Sequence, residues 1–137
     1  MTAPIGIQLY TVRDALAEDF TGTIKKIANM GFVGVETAGF PGTTPAEAKK
    51  LFDDLGLVVL GAHVGLPLGD SKNQILDNMA ALGCQRMINA YLPHDKYATL
   101  DGIKEVCALL NESNAVAKAN GLSFGVHNHW WEFQPVD

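Results

Sequence analysis

Long apolar runs are missing from this 137-residue sequence. No stretch approaches the ~20 residues that a membrane helix needs, so no membrane partner is expected. The segment from Met1 to Arg13 has neither a basic start nor a long apolar run behind it, and no signal peptide is expected. Cysteine is scarce. Cys84 and Cys107 stand alone among apolar neighbours with no C-x-x-C spacing, and read as buried, reduced thiols of a cytoplasmic protein. Clusters of Lys and Arg are absent too. Ten basic residues against fifteen acidic ones give a formal charge of −5, a poor basis for binding nucleic acid or an anionic membrane. No G-x-G-x-x-G follows a strand-like run and no P-loop string occurs, so dinucleotide and nucleotide-phosphate readings have no support. Nor is a serine-hydrolase nucleophile elbow expected.

What remains is a chain of ordinary globular composition, 47% hydrophobic and 18% charged. Its length suits one domain, residues 1–137, with no linker. One rhythm repeats along it. Gly31, Gly56, Gly83 and Gly121 each close a stretch of helical periodicity and precede a short apolar run. Glycine just past a helix end is the usual left-handed cap. The second helix is the plainest: Thr44 as N-cap, Pro45 at the first position and Glu47 three residues after the cap. Ala48, Leu51, Phe52 and Leu55 then form its buried stripe. Similar stripes run over Phe20, Ile24, Ile27 and Ala28; over Ile75, Leu76, Met79 and Leu82, with Ser71 as cap; and over Ile103, Val106, Cys107, Leu110 and Ala117. The apolar runs lie at Ile5 to Tyr10, Phe32 to Val35, Leu57 to Leu60, Met87-Ile88 and Leu122 to Val126. Five strands alternating with four helices predict a parallel sheet buried on both faces.

Polar residues recur at one phase of this pattern. Gln8, Glu36, His63, Asn89 and His127 each fall where a strand should end. In parallel α/β folds these carboxyl ends share one face, where ligands bind. Each residue also has a plain structural reading. Glu36 can cap a loop, His63 can be a hydrogen-bonded core histidine, Asn89 can be a turn residue, and Gln8 can satisfy nearby backbone. His127 and His129 would share a face of a regular strand, and with Glu132 they can supply metal ligands. Trp130 and Trp131 suit either packing or the wall of a sugar site. Arg13 suits an anionic substrate group or an exposed loop. Neither cysteine falls at a strand end, so neither is a candidate nucleophile.

Four motifs together carry a resemblance: I-G-I-Q-L-Y-T-V-R-D (Ile5 to Asp14), G-F-V-G-V-E-T-A-G-F (Gly31 to Phe40), G-A-H-V-G-L (Gly61 to Leu66) and H-N-H-W-W-E-F (His127 to Phe133). In order and spacing the chain resembles the sugar phosphate isomerase/epimerase proteins. These are xylose-isomerase-like TIM barrels, a group that also holds inosose dehydratases and endonuclease IV-like enzymes. The resemblance implies a (β/α)₈ barrel, a divalent metal (manganese, cobalt, magnesium or zinc) and a sugar or sugar-phosphate substrate. The implied reaction moves a proton on the carbon beside a carbonyl. It places Glu36 and His63 as catalytic residues and Gln8, Asn89, His129 and Trp130 around the substrate. Many relatives end strand five in a metal-binding Glu. Here that place holds His127, with Glu132 the nearest acid, and these two become the expected metal ligands.

Relatives draw further ligands from strands six to eight, which this sequence does not contain. The expected architecture is therefore a partial barrel of about five sequential strands with four helices outside. Such a piece is expected to be inactive alone, to hold metal weakly and to self-associate through open strand edges. The alternatives are an inosose-dehydratase-like lyase and a small flavodoxin-like binding module, whose strand order reverses. Endonuclease-like repair is disfavoured by the lack of basic charge.

Overall fold

The computed structural model describes residues 3–136. Five strands run through them: β1 (Gly6–Gln8), β2 (Gly34–Thr37), β3 (Val58–Val64), β4 (Arg86–Asn89) and β5 (Ser123–Val126). They are joined by α1 (Arg13–Glu18), α2 (Phe20–Asn29), α3 (Pro45–Asp54), α4 (Lys72–Leu82) and α5 (Leu100–Ala119). The strands lie in the order β1-β2-β3-β4-β5, and every neighbouring pair is parallel. Right-handed crossovers in an order that never reverses put every helix on one face of the sheet. This is the layout of part of a TIM barrel, and it removes the flavodoxin-like alternative.

Local signals set most of the element ends. The Thr44 hydroxyl accepts from the Glu47 N–H while the Glu47 carboxylate accepts from the Thr44 N–H, a complete capping box with Pro45 behind it. Gly56 and Gly83 sit at φ 70° and 59°, a left-handed conformation that side-chain-bearing residues rarely adopt.

Three expectations need correction. The described residues hold five α-helices rather than four, because the first crossover is split. Asp19 is extended (φ −152°), and its carboxylate accepts from the Gly22 N–H at 2.8 Å, so a new helix starts there. Ser71 stands at the N-cap position of α4, but its side chain makes no capping hydrogen bond. It ends a 3₁₀ turn, and its hydroxyl donates backwards to the Leu68 carbonyl at 3.0 Å. Cys84 is buried, but Cys107 is exposed. The buried residues of α5 are Val106, Ser113 and Ala117, and Cys107 is turned about 100° from that line.

The core lies between sheet and helices in two adjoining clusters. One joins Leu9, Leu16, Phe20, Ile24, Ile27, Val35, Ala48, Phe52 and Leu57; the other joins Ala62, Met79, Leu82, Cys84, Met87 and Ala117. Phe52 is fully buried, with its ring 6.3 Å from that of Phe20. Truncation by Phe52→Ala is expected to lower unfolding stability by about 3–5 kcal/mol, read from the urea midpoint at unchanged slope. A loss under about 1 kcal/mol would place Phe52 outside the core.

The two edges of the sheet carry exposed apolar side chains. Ile5 and Tyr10 lie beside β1; Val126 ends β5, and Trp130 and Phe133 follow it. Val58 and Leu60 are also exposed, on the face turned from the helices. Unpaired edges next to apolar surface favour association. The chain is expected to sediment as concentration-dependent oligomers, and a concentration-independent monomer would contradict this. No helix among the described residues is long and apolar enough to cross a membrane.

Candidate functional site

A bulge in β3 builds the site. Val35 pairs with Val59, but the next residue, Glu36, pairs with Gly61, so Leu60 has no opposite number. An extra residue in a strand reverses the side-chain alternation beyond it. Val59 packs toward the helices. After the bulge Ala62 does so too, fully buried beside Thr37 and Met87. His63 therefore turns to the opposite face, the face of Gln8 and Glu36. Leu60 fills the space above Gly34. A Cβ there would come within 2.9 Å of its Cγ and 2.7 Å of the Val58 carbonyl oxygen, so only glycine allows the approach.

Three side chains then meet on three adjacent strands. The Gln8 amide Nε2 donates to Glu36 Oε1 at 2.9 Å. His63 Nε2 lies 2.9 Å from the same oxygen and 3.3 Å from Gln8 Nε2. Glu36 Oε1 thus accepts from both neighbours, which sets His63 as the Nε2–H tautomer when Glu36 is ionised. The His63 side chain is 10% exposed and that of Glu36 26%. Burial pushes the His63 pKa down. Glu36 pulls it up and His127 pushes it down further, and burial wins.

The loop after β5 closes the other side. The His127 N–H donates to the Asn89 carbonyl at 2.9 Å, which extends the strand pairing by one residue. The His63 and His127 rings stand 5.5 Å apart, and His127 and His129 meet edge to face at 5.0 Å. Gln8, His63, His127 and His129 line one cleft of about 230 Å³, together with Tyr10, Ala90 and Tyr91.

The remaining candidates have other places. Asn89 is buried, and its amide donates to the Val64 carbonyl at 3.4 Å. Trp130 is 65% exposed, with its ring against His94 and Trp131. The Arg13 guanidinium lies 4.6 Å from the centre of the Tyr10 ring and does not line the cleft. Glu132 turns to His129, not His127: its Oε2 accepts from the His129 backbone N–H at 2.6 Å. Among the described residues no three His, Cys, Asp or Glu side chains are grouped to hold a metal ion. The expected metal pair, His127 with Glu132, does not fit as it stands, because both Glu132 oxygens face His129. Cys84 is raised in pKa by burial, so it is no nucleophile.

Tyr10 and Tyr91 were not foreseen, although a signal exists. Tyr10, Tyr91 and His129 each sit two residues past a strand-end polar residue, namely Gln8, Asn89 and His127. A G-x-S-x-G string does occur at Gly121 to Gly125, but Ser123 opens β5 at the far end of the sheet. Its hydroxyl donates to the Gln85 carbonyl at 3.1 Å, so it is not an elbow nucleophile.

Five sequential parallel strands with a polar cleft at their carboxyl ends define part of a TIM barrel. Solved structures agree. The chain is similar to a sugar phosphate isomerase/epimerase from Parabacteroides distasonis, at 24% identity over 98% of this chain and 55% of that one, with a TM-score of 0.77. A second sugar phosphate isomerase/epimerase from the same organism matches at 26% identity over 93% of this chain and 55% of that one, TM-score 0.74. A xylose isomerase-like TIM barrel/4-hydroxyphenylpyruvate dioxygenase fusion protein matches at 16% identity over 90% of this chain and 22% of its own length, TM-score 0.62. The chain thus spans about 55% of the length of the first two proteins. No family model and no curated protein matches it.

Proposed function

We propose that these five strands form the amino-terminal, incomplete part of a TIM-barrel domain that moves a proton beside the carbonyl of a sugar or sugar phosphate. The observation that carries this reading is the Glu36–His63 pair, 2.9 Å apart on adjacent strands, with His63 lining the cleft. A carboxylate joined to an imidazole is a proton-transfer unit: one group takes a proton as the other stabilises the resulting charge. The two solved sugar phosphate isomerase/epimerase structures support the substrate class.

Roles follow from position. Glu36 and His63 carry the proton. Gln8 holds Glu36 Oε1 and keeps the pair oriented. Tyr10 and Tyr91 offer apolar ring faces to the C–H surface of a sugar. A divalent metal in the complete barrel would polarise the carbonyl oxygen. The described residues do not group to bind one, and no step here depends on it.

The test is a chimera in which this chain replaces the matched segment of the first Parabacteroides protein. Keto-sugars and their phosphates are incubated with it in D₂O, and deuterium is read at the carbon beside the carbonyl. Wash-in of deuterium with isomer or epimer as product supports the reading. A dehydrated product would favour the lyase alternative, which begins with the same proton removal. A folded chimera that exchanges no such proton would overturn the proposal.

A further inference from the structure

We propose that Glu132 is a positioning residue for His129, and that His129 offers its bare Nε2 to a substrate hydroxyl in the cleft. The carboxylate forks across a single residue. Oε2 accepts from the His129 backbone N–H at 2.6 Å, and Oε1 lies 3.4 Å from the ring Nδ1. The Trp131 indole stacks on the same imidazole, with centres 4.1 Å apart and planes 9° from parallel. Tyr91 meets that ring edge-on at 6.3 Å, and His127 at 5.0 Å. The imidazole is thus fixed in its plane by a stacked ring and in its rotation by a carboxylate.

Chemistry follows from this clamp. The proton of a neutral imidazole goes to the nitrogen that faces an acceptor. Nδ1 faces Glu132, so Nδ1 carries it. Nε2, on the other side of the ring, keeps a free lone pair where the ring lines the cleft. His63 has the opposite arrangement, because its Nε2 faces Glu36. The cleft therefore holds one imidazole that donates from Nε2 and one that accepts there. A polyol needs both kinds of partner, since each hydroxyl is donor and acceptor. Glu132 itself is 13% exposed, and both its oxygens are engaged with His129. The H-N-H-W-W-E segment is in this account a self-contained clamp.

Only the identity of the hydroxyl rests on the proposed sugar chemistry; the ring geometry stands without it. Long-range ¹H–¹⁵N correlation of the histidine side chains, at a pH where they are neutral, reads the tautomers directly. The expected result is Nδ1–H for His129 and Nε2–H for His63 in the unmodified chain. Glu132→Ala should switch His129 to Nε2–H and leave the His63 signals in place, a control for the fold. Glu132→Gln, whose amide oxygen still accepts, should keep Nδ1–H. Finding Nε2–H at His129 in the unmodified chain overturns the proposal whatever the variants do. So does an Nδ1–H form that survives Glu132→Ala. If the tautomers are as expected but no sugar proton exchanges, the proposed function fails and the clamp stands.

Discussion

Deleting Ala62 is expected to destabilise the chain far more than deleting Leu60. Leu60 is the extra residue of the bulge, so without it Val59, Gly61 and Ala62 still pair with Val35, Glu36 and Thr37, and no later side chain changes face. Without Ala62 the strand beyond the bulge shifts by one residue, and every later side chain changes face. His63 would then take the fully buried place between Thr37 and Met87. An imidazole without a partner in that layer costs about 1–3 kcal/mol. Forcing its extra volume into a seat fitted to a methyl group costs about 1–3 kcal/mol more. A domain of this size holds only about 5–15 kcal/mol in total. Deleting Leu60 loses the bulge and a half-exposed side chain. Urea unfolding of the two variants decides the matter. An Ala62 deletion no worse than the Leu60 deletion would mean that strand register does not set the direction of His63.

Replacing Glu36 by Gln is expected to make the fold acid-sensitive. The folded His63 pKa already lies below its ordinary value of 6.5, chiefly through burial and despite the pull of Glu36. With that pull removed, the folded pKa falls further. The sign follows from linkage. A group whose folded pKa is depressed contributes stability that is fully present above the unfolded pKa. That stability is lost as pH falls from there through the folded pKa, because the unfolded chain takes up the proton first. The loss extends over a wider span of pH in Glu36→Gln. Urea midpoints measured above and below pH 6.5 should diverge more for the variant than for the unmodified chain. Equal divergence would show that Glu36 does not stabilise the His63 cation.

Much of the frame was legible because its signals are local. Thr44, Pro45 and Glu47 specify one helix start by hydrogen bonds within a single turn. The four glycines that end helical stretches all adopt positive φ, which fixes where each strand begins. Alternation of such units leaves few topologies open. The α1 helix was hidden because Arg13–Glu18 buries only Leu16, too little for a stripe. The bulge was hidden for a different reason. Val58-Val59-Leu60 reads the same whichever face each residue takes, so the phase of His63 came from pairing with β2 and not from β3 itself.

The cleft was legible to the same depth. Strand-end phase placed Gln8, Glu36, His63 and His127 together, since a parallel sheet aligns its carboxyl ends. Asn89 shared that phase, but it follows Met87 by two residues and so faces the helix side of β4, where its amide reaches the Val64 carbonyl. The partner of Glu132 depends on how the loop turns back on itself after β5, and no spacing rule encodes that turn. Residue type therefore suggested a pairing of Glu132 with His127, where the loop brings its carboxylate to His129.

The central claim is that the Glu36–His63 pair moves the proton. Deuterium wash-in to a keto-sugar by the chimera, compared with its Glu36→Gln and His63→Ala forms, tests it most directly. Removing a positioned acid or base is expected to lower the exchange rate by about 10²–10⁴-fold. The two variants should lose similar amounts, because groups acting as one unit are not additive. Exchange that continues at the unmodified rate in folded Glu36→Gln and His63→Ala chimeras would contradict the account.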